Sequence, residues 1–245
     1  IRQNSLFGCV KCCSSIFEYE HIDPEFVDAV IHDPACMTLL CPTCHQNVTS
    51  GRLSKATVKK CQENPCPGQT GCSRDIFDIG ATMPFIQFAG KRLVDCPVPL
   101  WVDNEPLFKI QAGEAAGAPF RLSADFYNEN GQKILSIVEN EWIVYVRNTW
   151  DVNVVGRTIK IREEKGKTAL EIEASPPDGI IIKNINIPNK NMVFSGNINK
   201  LRAKVVGGYF MDITDIINNE NRIDSKTFNT VNEKQNIDGS SGLSI

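Results

Sequence analysis

From Val98 to its end the sequence contains neither cysteine nor histidine; all ten cysteines and all three histidines precede that point. This absence confines metal-thiolate and imidazole chemistry to the first hundred residues. It argues against the disulfide framework of a small secreted protein and for a metal module joined to a second domain. Long apolar runs are missing too. No stretch reaches the roughly 18 consecutive apolar residues of a membrane-spanning helix, and no charged segment leads into an apolar one at the start. The chain is therefore expected to be soluble and cytoplasmic, without membrane contact. It opens on Ile1 rather than Met, which leaves room for an upstream segment. An excess of positive charge is also lacking, with a formal net charge of -3 and a pI of about 5.7. A general polycation is thereby excluded, and any contact with DNA must use a local basic patch.

What is present suffices for a sizeable core: 42% of the 245 residues are hydrophobic and 22% charged, as in ordinary globular proteins. The histidine-free part reads as strands. "WIVYV" (142 to 146), "RTIKIRE" (157 to 163), "TALEIEA" (168 to 174), "GIIIKNINI" (179 to 187) and "KLRAKVVGGYFMDI" (200 to 213) alternate or run in β-branched residues between Gly, Asn, Asp and Pro. A sandwich or barrel-like antiparallel sheet is expected; no fixed repeat period supports solenoid turns. The fold class is α+β, a small metal module followed by a mainly β domain. The module is assigned to 1–72, a linker to 73–98, the β domain to 99–222 and a polar, Gly/Ser-rich tail, expected to be mobile, to 223–245. The Pro- and Gly-dense "CQENPCPGQTGCSRD" (61 to 75) is read as the loop leaving the module.

Cys9-x-x-Cys12, followed about thirty residues later by Cys41-x-x-Cys44, has the spacing of two knuckles that offer four thiolates to one tetrahedral Zn²⁺. A segment of roughly sixty residues buries little apolar area, and zinc binding can contribute on the order of 10 kcal/mol to such a fold. Cys41-Pro-Thr-Cys44-His45 also satisfies the pattern of covalent haem attachment, but haem would leave the first pair without a purpose. A thioredoxin-like redox pair would need a βαβ unit, which "HDPACMTLL" does not provide.

With four thiolates the zinc shell is closed and does no catalysis, leaving Glu20, His21 and His45 over. A carboxylate and imidazoles suit a second, harder divalent ion plus a general base, the equipment of phosphodiester hydrolysis. In order, "GCVKC", "EHIDP", "LLCPTCH" and "VTSG" resemble an HNH endonuclease with a zinc-stabilised ββα-metal module, over roughly residues 6 to 60. The resemblance implies that Glu20 and His45 hold a catalytic Mg²⁺ or Mn²⁺ and that His21 is the general base. It puts Cys36 where the family commonly has an Asn that braces the loop between the strands, with His32 or Asp33 nearby as substitutes. Cys13 stands where a Gly often follows the first knuckle. His32 has no motif partner and is otherwise expected to be structural or on the surface.

Arg52, Lys55, Lys59 and Lys60 in "SGRLSKATVKK" form the candidate DNA-binding run, with Ser54 as a helix cap and Lys55 and Lys59 on one face. Between Lys11 and Arg52 the charged residues are all acids: Glu18, Glu20, Asp23, Glu25, Asp28 and Asp33. Cys61, Cys66 and Cys72 lack a paired knuckle, so buried free thiols are expected rather than a second zinc site with Cys13 or Cys96. Trp142, Tyr145 and Trp150 would serve as core or as a grip on bases or a partner. The expected function is cleavage of double-stranded DNA, directed by the β domain as a sensor, targeting or oligomerisation unit. By association the layout fits phage defence or restriction. The alternative is a zinc-stabilised DNA-binding or protein-interaction module without nuclease activity.

Overall fold

Arg121–Tyr127 shows why the larger part of the chain is sheet: Leu122, Ala124 and Phe126 are buried while the residues between them are half-buried, the period of two of a strand with one face on a core. The computed structural model describes residues 1–214 and the short strand Arg222–Ile223. The expected tail at 223–245, apart from Ile223, lies outside the described residues.

The chain begins with turns and the first knuckle. A hairpin follows, of β1 (Glu18–His21) and β2 (Met37–Leu40), then α1 (Pro42–Thr49), α2 (Lys55–Glu63) and α3 (Cys66–Thr70). Next come β3 (Cys72–Ile76), β4 (Phe85–Phe88), β5 (Lys91–Leu93), β6 (Trp101–Val102), β7 (Glu105–Pro106), β8 (Phe108–Gln111), β9 (Arg121–Tyr127), β10 (Lys133–Val138) and β11 (Glu141–Tyr145). The last series is β12 (Asp151–Val155), β13 (Thr158–Glu164), β14 (Lys167–Ser175), β15 (Gly179–Asn189), β16 (Met192–Asn197), β17 (Leu201–Val205), β18 (Met211–Asp212) and β19 (Arg222–Ile223).

One sheet has the antiparallel order β3-β11-β10-β9-β8; a second runs β12 through β18 as a meander. β4 joins the second sheet parallel to the start of β15, where Gly179 (φ +152°) lies so close to Phe85 that a Cβ would sit 2.0 Å from the Phe85 carbonyl oxygen. Only glycine permits that approach. β19, β6 and β7 form a small third sheet. Buried residues of both large sheets, among them Phe108, Phe126, Ile137, Ile161, Ile182 and Phe194, belong to one continuous cluster. The β part is thus two open sheets on a shared core, with no closed barrel among the described residues.

The linker assignment at 73–98 needs correcting. β3 pairs with β11, β4 with β15, and Phe77, Ile79, Ile86, Phe88 and Leu93 enter the main core. Short apolar clusters between Pro and Gly read as loop in one dimension, yet here they bury their side chains. The stretch 61 to 75, read as a loop, contains α3, which ends at Gly71 in the left-handed region, and most of β3. Nor are Cys13 and Cys66 free thiols: they are joined in a disulfide, Cα to Cα 5.2 Å. The Cys66 N–H donates to the Val10 carbonyl at 2.9 Å, which brings α3 against the first knuckle.

These contacts fasten the small module to the sheets. Phe7 inserts into the main core, and Ser14 forms a parallel bridge with Arg74 of β3. A Cβ on Gly8 would meet Ser73 Cβ at 2.8 Å. Arg2 donates from Nε and Nη2 to the two oxygens of Asp151 at 2.9 and 3.1 Å, and Arg162 Nη1 donates to the same carboxylate at 2.6 Å. Asp151 is buried, so its charge is tolerable only between these two guanidiniums. Asp151→Ala should lower stability by about 2 to 4 kcal/mol, because it leaves two cations facing each other, and urea denaturation should show the lowered midpoint.

Candidate functional site

The local sequence makes helix start and metal knuckle one feature. Cys41 has extended backbone angles and is the N-cap of α1, its Sγ accepting from the Cys44 N–H at 3.4 Å, and Pro42 fills the first turn where no donor is needed. The first knuckle is held by the Cys9 N–H on the Ser14 carbonyl at 2.8 Å and the Val10 N–H on the Leu39 carbonyl at 3.0 Å, which ties it to β2. The ligand atoms of Cys9, Cys12, Cys41 and Cys44 all lie within 4.8 Å of one another. Three of the four are buried; Cys12 is exposed.

This cluster can hold a metal ion such as zinc. The Cys9 thiol is lowered to about 5, chiefly by the hydrogen bond from Cys12, with backbone donors of Cys41, Lys11 and Cys12 assisting against burial. Burial, with the neighbouring Cys9 charge, pushes Cys44 up to about 12. A cation bound by the four sulfurs would favour their thiolate forms, since the thiolate is the ligand. Around them Val10, Ile22, Leu40 and Val58 form a second hydrophobic cluster, separate from the main core. Cys61 and Cys72 are free thiols outside this group, and ligation by four cysteines is confined to one place among the described residues.

Beside the cluster, β1 and α1 bring two of the expected site residues together. His45 is the residue after Cys44, and its N–H donates to the Cys41 carbonyl at 2.8 Å. Its Nε2 lies 3.0 Å from Glu20 Oε2 and its Nδ1 3.2 Å from Glu18 Oε2. Glu18 and Glu20 share one face of β1, as alternate strand residues must. Glu20 is buried, with a side chain 6% exposed. Its other oxygen is taken by Lys55 Nζ, which also donates to the His21 carbonyl.

His21 extends from the opposite face of the strand. It is buried, its Nε2 is 3.0 Å from His32 Nδ1, and it meets the Phe26 ring edge-on at 5.4 Å. His32, which has no motif partner but stands with Asp33 as a substitute for the bracing Asn, is the side chain at the His21 ring; a spacing of eleven residues across an irregular loop gives no periodic signal of this. Cys36 contributes through its backbone: its carbonyl accepts from the Ile22 N–H at 2.8 Å and closes the base of the loop between the strands. Its Sγ is 4.0 Å from Asp33 Oδ2, while Asp33 caps the short turn Pro34–Cys36 through the Ala35 N–H.

The basic run divides. Ser54 caps α2 as expected, accepting from the Thr57 N–H at 3.2 Å. Lys59 and Lys60 face solvent, and Arg52 donates to the Asn47 side chain at 3.0 Å. Lys55, expected beside Lys59 at phosphates, is turned back onto Glu20. Trp142 is core, whereas Trp150 is partly exposed. No helix among the described residues is long and apolar enough to cross a membrane. No protein-family model, curated protein or solved structure matches the chain.

Because the two hydrophobic clusters are separate, Cys44→Ser should abolish metal retention and unfold the module while the sheets stay folded. Metal analysis after dialysis, with far-ultraviolet circular dichroism showing a retained β signal, checks this. Acidifying the unmodified protein should release the ion too, since each thiolate that takes a proton ceases to be a ligand.

Proposed function

We propose that the chain is a metal-dependent HNH-type endonuclease that hydrolyses phosphodiester bonds in double-stranded DNA, with zinc on Cys9, Cys12, Cys41 and Cys44 as its structural brace. The observation that carries this reading is the pairing of Glu20 and His45 at 3.0 Å, on a hairpin and helix held by the thiolate cluster. A carboxylate oxygen and an imidazole nitrogen make a donor set that fits Mg²⁺ or Mn²⁺, ions content with few protein ligands and several waters. Bound there, the ion would supply charge neutralisation at the scissile phosphate and its leaving oxygen.

The remaining chemistry belongs to the chain. His21 removes a proton from the attacking water, and the partner of its Nε2 decides which nitrogen does so. To accept a proton at Nδ1, the ring must carry its hydrogen on Nε2, which then donates to His32 Nδ1 at 3.0 Å. In that tautomer His32 accepts the hydrogen bond and holds the ring plane. Exposed Lys59 and Lys60, with Arg52, meet backbone phosphates on the α2 side.

A second reading has its own observation. Lys55 already pairs with Glu20, an arrangement that also suits a zinc-braced DNA-binding or protein-interaction module without catalysis. Incubating supercoiled plasmid with the protein in Mg²⁺ or Mn²⁺ separates the two. The unmodified protein should nick DNA, and His21→Ala should slow nicking about a hundred- to ten-thousandfold while retaining DNA binding in a gel-shift assay. Equal, trace nicking by both proteins would sink the nuclease reading and leave the binding module.

A further inference from the structure

Lys55 is the first residue of α2, directly after the Ser54 cap. A cation there is opposed by the positive end of the helix dipole, and no acidic residue stands in the first turn to offset it. Its side chain nevertheless folds back across the hairpin to Glu20 and to the His21 carbonyl, where the lysine side chain is 29% exposed and that of Glu20 6%. The favourable term is Glu20 itself, since a buried carboxylate lacking a cation would carry most of its desolvation cost unpaired. Lys55 donates to Glu20 Oε1 while His45 lies on Oε2, so both oxygens are engaged.

From this geometry we infer that Lys55 is an internal counter-ion for Glu20 that a divalent cation must displace, so that metal entry releases the Lys55 ammonium toward solvent. The inference rests on the reading of Glu20 and His45 as ligands of a divalent ion. A divalent cation coordinated by Glu20 and an ammonium in contact with the same carboxylate repel each other across a few ångströms, so the two states exclude one another. The lysine stem is long and flexible enough to leave. Once out, Lys55 lies one helical turn from Lys59, on the face where a phosphate backbone would be neutralised. Metal binding and the gain of a phosphate-binding cation are then a single event.

Titration of the zinc-loaded full chain with Mn²⁺, followed through the electron paramagnetic resonance signal of the unbound ion, tests the competition. Lys55→Met should bind Mn²⁺ about tenfold more tightly than the unmodified protein, as loss of a partly buried competitor implies, and Glu20→Gln should lose the site. Equal or weaker binding by Lys55→Met, with the site still lost in Glu20→Gln, would overturn the counter-ion role and leave the metal site standing. No Mn²⁺ binding by any of the three proteins would overturn both. A second measurement needs no substitution and so survives a Lys55→Met chain that fails to fold. Acetic anhydride labelling of the unmodified protein, read by mass spectrometry, should modify Lys55 faster with saturating Mn²⁺ than without, while Lys59 labelling stays constant. Unchanged or slower labelling of Lys55 would overturn the proposal.

Discussion

The position of Cys41 is the constraint on which the site depends. Its sulfur belongs to the thiolate group and accepts from the Cys44 N–H, its carbonyl accepts from the His45 N–H, and it directly follows the buried end of β2. One residue therefore ends a strand, starts a helix and anchors a metal group. Because α1 begins there and nowhere else, Cys44 turns inward to the cluster while His45 turns toward β1. A slip of one residue would turn both side chains away from their partners, since successive helical positions differ by about 100°. The cluster stabilises a small core of few apolar side chains, and it also fixes the angle at which His45 meets Glu20.

The module is fastened to the sheets at several independent points. Phe7 lies in the main core, the Ser14–Arg74 bridge continues β3 into the knuckle, and Arg2 reaches Asp151 from 149 residues away. The disulfide joins residues 53 apart and draws α3 onto the same knuckle. Each contact alone is modest; together they remove the freedom a flexible linker would have left. The sheets are thereby held in a fixed relation to the hairpin that carries Glu20. Their own polar contacts are mostly internal pairs, such as Lys133 with Asp125 and Lys183 with Glu173.

Legibility in the sequence followed the range of the interaction. The two Cys-x-x-Cys knuckles were readable because their ligands are set by spacing, and β13 to β15 because burial on one face imposes a period of two. Glu20 and His45 were readable as a pair only through the resemblance of their motifs. The linker assignment failed because three- to five-residue strands carry too few alternations to stand out against Pro and Gly. Cys13–Cys66, the His21–His32 bond and the return of Lys55 to Glu20 depend on three-dimensional approach, and no local pattern announces them. Lys55 shows this most sharply: helical spacing puts its Cα on a face with that of Lys59, but says nothing about where a four-carbon stem will aim, and the ammonium turns back onto Glu20.

The charge around Glu20 is arranged in two halves with different chemistry. On one side the hairpin loop carries Asp23, Glu25, Asp28 and Asp33 beside the exposed Phe26, Val27, Val30 and Ile31, a surface that repels a polyanion. On the other side α2 carries Lys55, Lys59 and Lys60, with Arg52 just before it. Glu20 lies at the boundary, its two oxygens turned to His45 and Lys55. Under the proposed nuclease reading, a polyanion reaching Glu20 along α2 would pass cations that offset its charge. A net-acidic chain with a one-sided basic helix needs no overall positive charge for such an approach, because screening limits the relevant field to about 8 to 10 Å at moderate salt. Within that radius the arrangement of a few side chains outweighs the sign of the whole molecule.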